Sequence, residues 1–177
     1  MKANRSCGEC TACCVEPAID TPELRKLPRV PCTHCTGTGC AIYAARPPVC
    51  RTHFCGWFVL GDLGEEWRPD RSGVLISPCA IGIPAHYRLR EGIEFLVFGG
   101  EEAVRRPAFT AFLTHLIRSG VPSFIAVPGP AGHFPARTFL NDNLARMPPP
   151  AYADAFVSLL KAAKGHRFEP MPQFPLN

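Results

Sequence analysis

Apolar positions recur with the periods of regular structure only in the last two thirds of the chain. From Trp57 onward the pattern is that of an α+β body. Gly73-Val74-Leu75-Ile76-Ser77 and Glu94-Phe95-Leu96-Val97-Phe98 are short apolar runs bounded by glycine or charge, which predicts two buried strands. Between Glu101 and Ser119, Val104, Ala108, Phe112, Leu113, Leu116 and Ile117 fall three or four residues apart, which predicts one helix. Pro107 is expected in its first turn or as its true start, because a proline deeper inside would remove a hydrogen bond. Ser123 to Val127, the turn Pro128-Gly129-Pro130-Ala131-Gly132 and the stretch His133 to Leu140 suggest a hairpin whose second arm, holding Pro135, lies at an edge. After Met147-Pro148-Pro149-Pro150, the residues Tyr152, Phe156, Leu159, Leu160 and Ala163 predict a second amphipathic helix ending near Gly165. The tail after Phe168 carries three more prolines and is expected to wrap or hang loose.

The first third is loop-rich and has little apolar face to bury. Its pattern is one of sulfur. Nine of the ten cysteines, Cys7, Cys10, Cys13, Cys14, Cys32, Cys35, Cys40, Cys50 and Cys55, lie within the first 55 residues, and only Cys79 lies beyond them. Thiols so close along the chain must meet in space, where they either oxidise to disulfides or share a metal. No apolar segment precedes Cys7, so a reducing, cytoplasmic setting is expected, and there clustered cysteines are ligands more often than staples. No run approaches the roughly 20 apolar residues that a membrane span needs. The expected architecture is α+β: a cysteine-rich, metal-binding lobe over residues 1–58, packed on a body over residues 59–177 with a mostly antiparallel sheet and two main helices.

Spacing partly divides the cysteines. Cys7-Gly8-Glu9-Cys10-Thr11-Ala12-Cys13 has the two-residue gaps with which ferredoxins wrap an iron–sulfur cluster, yet Pro17 stands where the fourth cysteine would come. Adjacent side chains diverge, so Cys13 and Cys14 are expected to face different partners. Cys32-Thr33-His34-Cys35 is a C-x-x-C knuckle, and Cys40, Cys50 and Cys55 follow within twenty residues, as a tetrahedral zinc site requires. Gly37 and Gly39 permit a tight turn between Cys35 and Cys40. Arg46 and Arg51 flank Cys50, where their guanidinium groups could offset thiolate charge. His34 and His53 lie among the ligands and could each replace a cysteine, whereas Cys79 is expected to be a buried apolar residue.

These residues resemble a known family. The Cys-x-x-Cys-x-x-Cys-Cys run at Cys7, Cys10, Cys13 and Cys14, followed by Cys40-Ala41-Ile42-Tyr43-Ala44-Ala45-Arg46-Pro47-Pro48-Val49-Cys50 and Cys55, is similar to the bacterial zinc- or iron-chelating cysteine-cluster proteins of the YkgJ-like family, over roughly residues 7 to 58. The resemblance implies Cys7, Cys10, Cys13, Cys14, Cys32, Cys40, Cys50 and Cys55 as ligands, with the Ile42-Tyr43 and Arg46-Pro47 pairs as support. Cys35 belongs to a Cys-x-His-Cys variant of the pattern. Family members are often labelled iron–sulfur oxidoreductases, and a related pattern occurs in flagellin lysine methylases. The implied cofactor is zinc or iron, which includes a [4Fe-4S] cluster, at one site or two.

Composition removes other classes. With 46% hydrophobic residues and a formal charge of +4, the chain can bury a core and carries no nucleic-acid signature, since Arg25, Lys26 and Arg29 are too few for a basic stripe. A zinc-ribbon nucleic-acid binder is thus disfavoured. Glu65, Glu66, Asp70, Asp142 and Asp154 form no acid/base pair, and no nucleophile motif or phosphate loop is present. What stands is a metal-binding protein, with a protein partner possible, or an enzyme whose chemistry lies in an iron–sulfur centre.

Overall fold

The computed structural model describes residues 5–53 and 55–172. In the lobe, the single turn α1 (Ala12–Val15) leads into a small antiparallel hairpin of β1 (Ile19–Thr21) and β2 (Leu24–Lys26), in which Ile19 stands opposite Lys26. A tight 3-10 turn at Tyr43–Ala45 precedes α2 (Pro48–Arg51), whose first residue is a proline already holding the helical φ. Then come α3 (Gly56–Val59), a 3-10 turn at Glu65–Trp67 and α4 (Pro69–Ser72).

The body follows as β3 (Val74–Cys79), β4 (Gly92–Val97), α5 (Gly100–Arg105), α6 (Pro107–Arg118), β5 (Ser123–Val127), β6 (Ala136–Phe139), α7 (Asn141–Leu144) and α8 (Tyr152–Lys164). Its sheet has the order β3-β4-β5-β6; the outer pairs are antiparallel and the central pair, β4 with β5, is parallel. A parallel pair needs a crossover connection, which α5 and α6 supply.

Where one helix is expected from Glu101 to Ser119, the structure has two. Arg106 adopts an extended ψ of 128°, because the ring of Pro107 excludes the residue before it from helical geometry, and α6 starts on the proline itself. The long helices α6 and α8 turn Phe109, Leu113, Leu116 and Ile117, and Tyr152, Phe156, Val157, Leu160 and Ala163, onto one face of the sheet. There Phe109 meets Phe95 and Phe156 edge to face, with ring centroids 5.5 Å and 5.3 Å apart. The chain after Phe168 wraps as far as it is described. Phe134 N–H donates to Glu169 O and Met171 N–H to Gly132 O, while residues 173–177 lie outside the described part.

Alternation along the strands gives the sheet a second apolar face. Leu75, Leu96 and Ala126 point away from the helices, and Cys55 and Phe98 pack on them. The lobe docks along β3, with Cys55 packed against both apolar clusters. Gly56 permits a close approach to the main core, since a Cβ at that position would stand 2.5 Å from the Cβ of Ile76. Trp57 enters the main core, and Arg5 clasps this corner by donating to the carbonyls of Trp57, Leu60 and Leu63. Among the described residues no helix is long and apolar enough to cross a membrane.

Candidate metal centre

Every cysteine of the chain is a free thiol. Local backbone hydrogen bonds shape the segments that carry the nine of the lobe. Cys10 N–H closes a turn onto Cys7 O at 2.9 Å, and Cys14 N–H bonds Thr11 O at 2.8 Å, which starts α1 and sets Cys13 and Cys14 on it. Cys32 N–H then reaches Cys14 O at 2.9 Å and ties the second cysteine segment to the first. Within that segment Cys35 N–H bonds Cys32 O, and His34 N–H points at Cys32 Sγ from 3.5 Å, the N–H···S arrangement of a metal knuckle. Cys35 and Cys40 pair as a β-bridge across a turn in which Gly37 has φ +86°, a conformation that glycine adopts without strain. Cys50 rides on α2, and Cys55 caps α3.

Seven of these sulfur residues, Cys7, Cys10, Cys13, Cys14, Cys32, Cys40 and Cys50, line one cleft of about 300 Å³. Cys35 and Cys55 lie outside its lining. Apolar side chains of Ile19, Leu24, Ile42 and Val49 complete the walls, with His34, His53 and Arg46 among them. Among the described residues no group of three or more His, Cys, Asp or Glu side chains closes on a point that could hold a metal ion; the sulfurs ring the cleft instead.

The sulfurs fall into two electrostatic neighbourhoods. Cys13 and Cys55 both feel the charges of Cys7 and Cys10, so Cys7, Cys10, Cys13 and Cys55 form a first set at the junction with the body. Cys14 is hydrogen-bonded by Cys35, and Cys50 feels Cys14, Cys32 and Cys40, which makes a second set inside the lobe. The two sets touch at the vicinal pair. Cys13 keeps its proton and donates it toward Cys14, whose thiol is thereby pulled down to about 6 against the opposing effect of burial, with Lys26, Cys35 and Arg46 helping. Burial pushes the thiols of Cys10, Cys50 and Cys55 up, so these sulfurs favour the protonated form until a cation replaces the proton.

Each set has its own surroundings. Asp70, on α4 of the body side, points its backbone N–H and its carboxylate at Cys10, and Arg68 holds that carboxylate from 2.6 Å, keeping Asp70 below the usual carboxylate range. The second set has cations. Lys26 is 5% exposed and donates to the carbonyls of Val15 (3.0 Å), Leu27 (3.1 Å) and Pro17, within reach of the charges of Cys32, Cys14 and Cys13. Arg46 acts on Cys14 and Cys50 and lies 3.8 Å above the ring of Tyr43. Arg51 is exposed at the end of α2.

The sequence counts Lys26 only with Arg25 and Arg29 as too few for a basic stripe, and finds no use for Asp70. The strand period was the available signal for Lys26, because Leu24 and Lys26 share one face of β2 and both are buried. Asp70 had no comparable signal, since only the docking of α4 brings it to the sulfurs. His53 turns inward: its buried Nε2 has no hydrogen-bond partner and burial holds the imidazole below its usual value, so an atom able to bond a guest waits in the cleft wall. Cys79 differs from the expectation of a buried apolar residue. It is partly exposed at the end of β3, accepts a hydrogen bond from Arg137, lies 3.4 Å from Ile81 O, and is not among the residues that line the sulfur cleft. Compared with protein-family models, with curated proteins and with solved structures, the chain finds no match.

Proposed function

We propose that the chain is a metal-binding protein whose clustered thiolates hold zinc or iron. The observation that carries this is the convergence of seven free cysteines on one cleft, backed by a buried lysine, Arg46 and an unpaired imidazole nitrogen. Thiolates, an amide N–H aimed at Cys32, a buried lysine and a half-buried arginine are what a soft cation and its surplus negative charge require. Cys7, Cys10, Cys13, Cys14, Cys32, Cys40, Cys50 and Cys55 are the ligand candidates, as the resemblance to the YkgJ-like family also implies. Metal would supply the cohesion that the lobe lacks in apolar core, about 10 to 16 kcal/mol for a structural zinc in small peptides.

A cleft of about 300 Å³ is far more room than one ion needs, and it favours a second reading in which the centre is an iron–sulfur cluster that passes electrons to a substrate held against Ile19, Leu24 and Val49. Anaerobic purification followed by iron, zinc and acid-labile sulfide analysis tests both. Zinc without sulfide supports the structural centre, and matching iron and sulfide with broad visible absorption supports the cluster. A protein free of both metals, with all ten thiols open to alkylation, would sink the proposal.

A further inference from the structure

We propose that Cys35 and Cys40 form a thiol–disulfide site at the rim of the cleft, which a peroxide closes and a dithiol reopens, and that closing it takes Cys40 away from a bound metal. The pairing rests on backbone geometry alone. Its consequence for metal rests on the metal-binding reading and adds redox control to it. Cys35 and Cys40 stand opposite each other as an antiparallel β-bridge, and among the described residues they are the cysteines that a bridge sets face to face. The flanking bonds run from Ala41 N–H to His34 O at 2.9 Å and from Thr36 N–H to Gly39 O at 3.0 Å, while Cys35 N–H donates to Cys32 O. Cys35 and Cys40 exchange no backbone bond with each other. Theirs is the non-hydrogen-bonded kind of pair, with Cα atoms about 4.5 Å apart and side chains on one face. A disulfide closes over Cα separations of roughly 4.4 to 6.8 Å, so the bond can form with the backbone where it stands.

Access favours the same pair. Both residues are half-buried, and Thr36, Gly37 and Thr38 in the turn between them are exposed, so small oxidants and reductants reach the sulfurs from solvent. Disulfides in exposed positions are the labile, regulatory kind. Cys32 is the competitor through its C-x-x-C spacing to Cys35, but its side chain is buried and its Sγ takes the His34 N–H at 3.5 Å. In the reaction, one of the two sulfurs attacks hydrogen peroxide, the O–O bond breaks, and the departing oxygen leaves as water with the thiol proton. The sulfenic acid that remains is attacked by the other thiol, the S–S bond forms as the S–O bond breaks, and a second water leaves. Two electrons pass from the sulfurs to the peroxide. The two residues differ in what else they do: Cys40 lines the cleft, whereas Cys35 lies outside the lining. Since the thiolate is the form that binds metal, the disulfide removes Cys40 from the ligand candidates.

The test uses the full chain loaded with zinc, kept from air and given one equivalent of hydrogen peroxide. Free thiols are alkylated with one reagent, disulfides are reduced, and the thiols so released take a second reagent of different mass, which fragment-ion mass spectrometry places on the chain. Cys35 and Cys40 should carry the second label and Cys32 the first. Zinc should appear at a chromogenic chelator in step with the disulfide, and dithiothreitol should restore both the thiols and zinc uptake. The oxidised chain should bind zinc more weakly by about tenfold to a hundredfold, no less than the usual effect of losing a group that supports a ligand. In Cys35→Ser the second label should not reach Cys40, and the zinc which that variant holds should outlast the same peroxide. The emission of Trp57 and Trp67 reports whether each sample is folded. No second label, second label on Cys32 with Cys35, or its spread across the lobe would overturn the pairing while leaving metal binding intact. Zinc retained beside a formed Cys35–Cys40 disulfide, or released as fast from Cys35→Ser, would overturn the link to metal. A chain that takes up no zinc at all would instead remove the underlying reading, and the labels would still decide the pairing.

Discussion

The body and the lobe of this molecule are held together by different physics. Of the hydrophobic residues described as buried, only Ala12, Leu24 and Cys32 precede Trp57; all the others belong to the two faces of the sheet and the helices upon them. The body therefore owes its fold to apolar burial, at roughly 1.5 to 3 kcal/mol for each large side chain. The lobe has short elements, turns closed by single hydrogen bonds and an open cleft ringed with thiols. A segment built that way has little hydrophobic driving force of its own, and on the proposed metal-binding reading its cohesion comes from what the thiols bind. The difference teaches where that proposal places function: the body is a platform, and the chemistry sits in the part least supported by apolar burial.

Changes confined to one side should leave the other standing. The largest effect is expected from Phe156→Ala, which removes a fully buried ring from between Phe109 and Tyr152. It should cost the body about 3 to 5 kcal/mol, read by denaturant unfolding, while metal per folded chain stays unchanged. Cys50→Ser should do the reverse, with loss of bound metal by elemental analysis and little change in the helical circular dichroism of the body. Cys79→Ser should leave metal content as it was, because its contacts are with Arg137 and Ile81. Next comes the hinge between the two parts. In Gly56→Ala the new methyl would collide with Ile76, so a loss of about 1 to 3 kcal/mol is expected, with weaker metal retention through displacement of Cys55. The smallest effect is chemical. In the metal-free protein Cys14 loses its proton as pH rises through about 6, so iodoacetamide labelling of Cys14 should accelerate there. Cys10, Cys50 and Cys55, raised by burial, should follow only in alkaline solution.

The two parts were also unequally legible from sequence. The body's strands and long helices follow apolar periodicity, which is the direct imprint of burial on a chain, and Tyr152 to Lys164 falls where the pattern places it. The parallel pairing of β4 with β5 was hidden, because strand direction is decided by the crossover that joins two strands and not by the residues within them. The short β1–β2 hairpin was hidden too, being only three residues on each arm. In the lobe the cysteine spacings identified the ligand candidates but not their grouping. That grouping depends on the return of Cys32 to Cys14 and on Cys55 being carried by α3 onto the sheet, both of which are tertiary facts. The hydrogen bond between the thiols of Cys13 and Cys14 runs against the expectation that adjacent side chains diverge to different partners.

Hydrogen exchange with and without a strong chelator tests the central claim most directly, since it reads the two parts side by side in one sample. The account predicts that chelation strips protection from amides between residues 7 and 55 while those of β3, β4, β5, α6 and α8 keep theirs. Undiminished protection across the lobe after the metal has gone would show that it folds without metal, and would contradict the account.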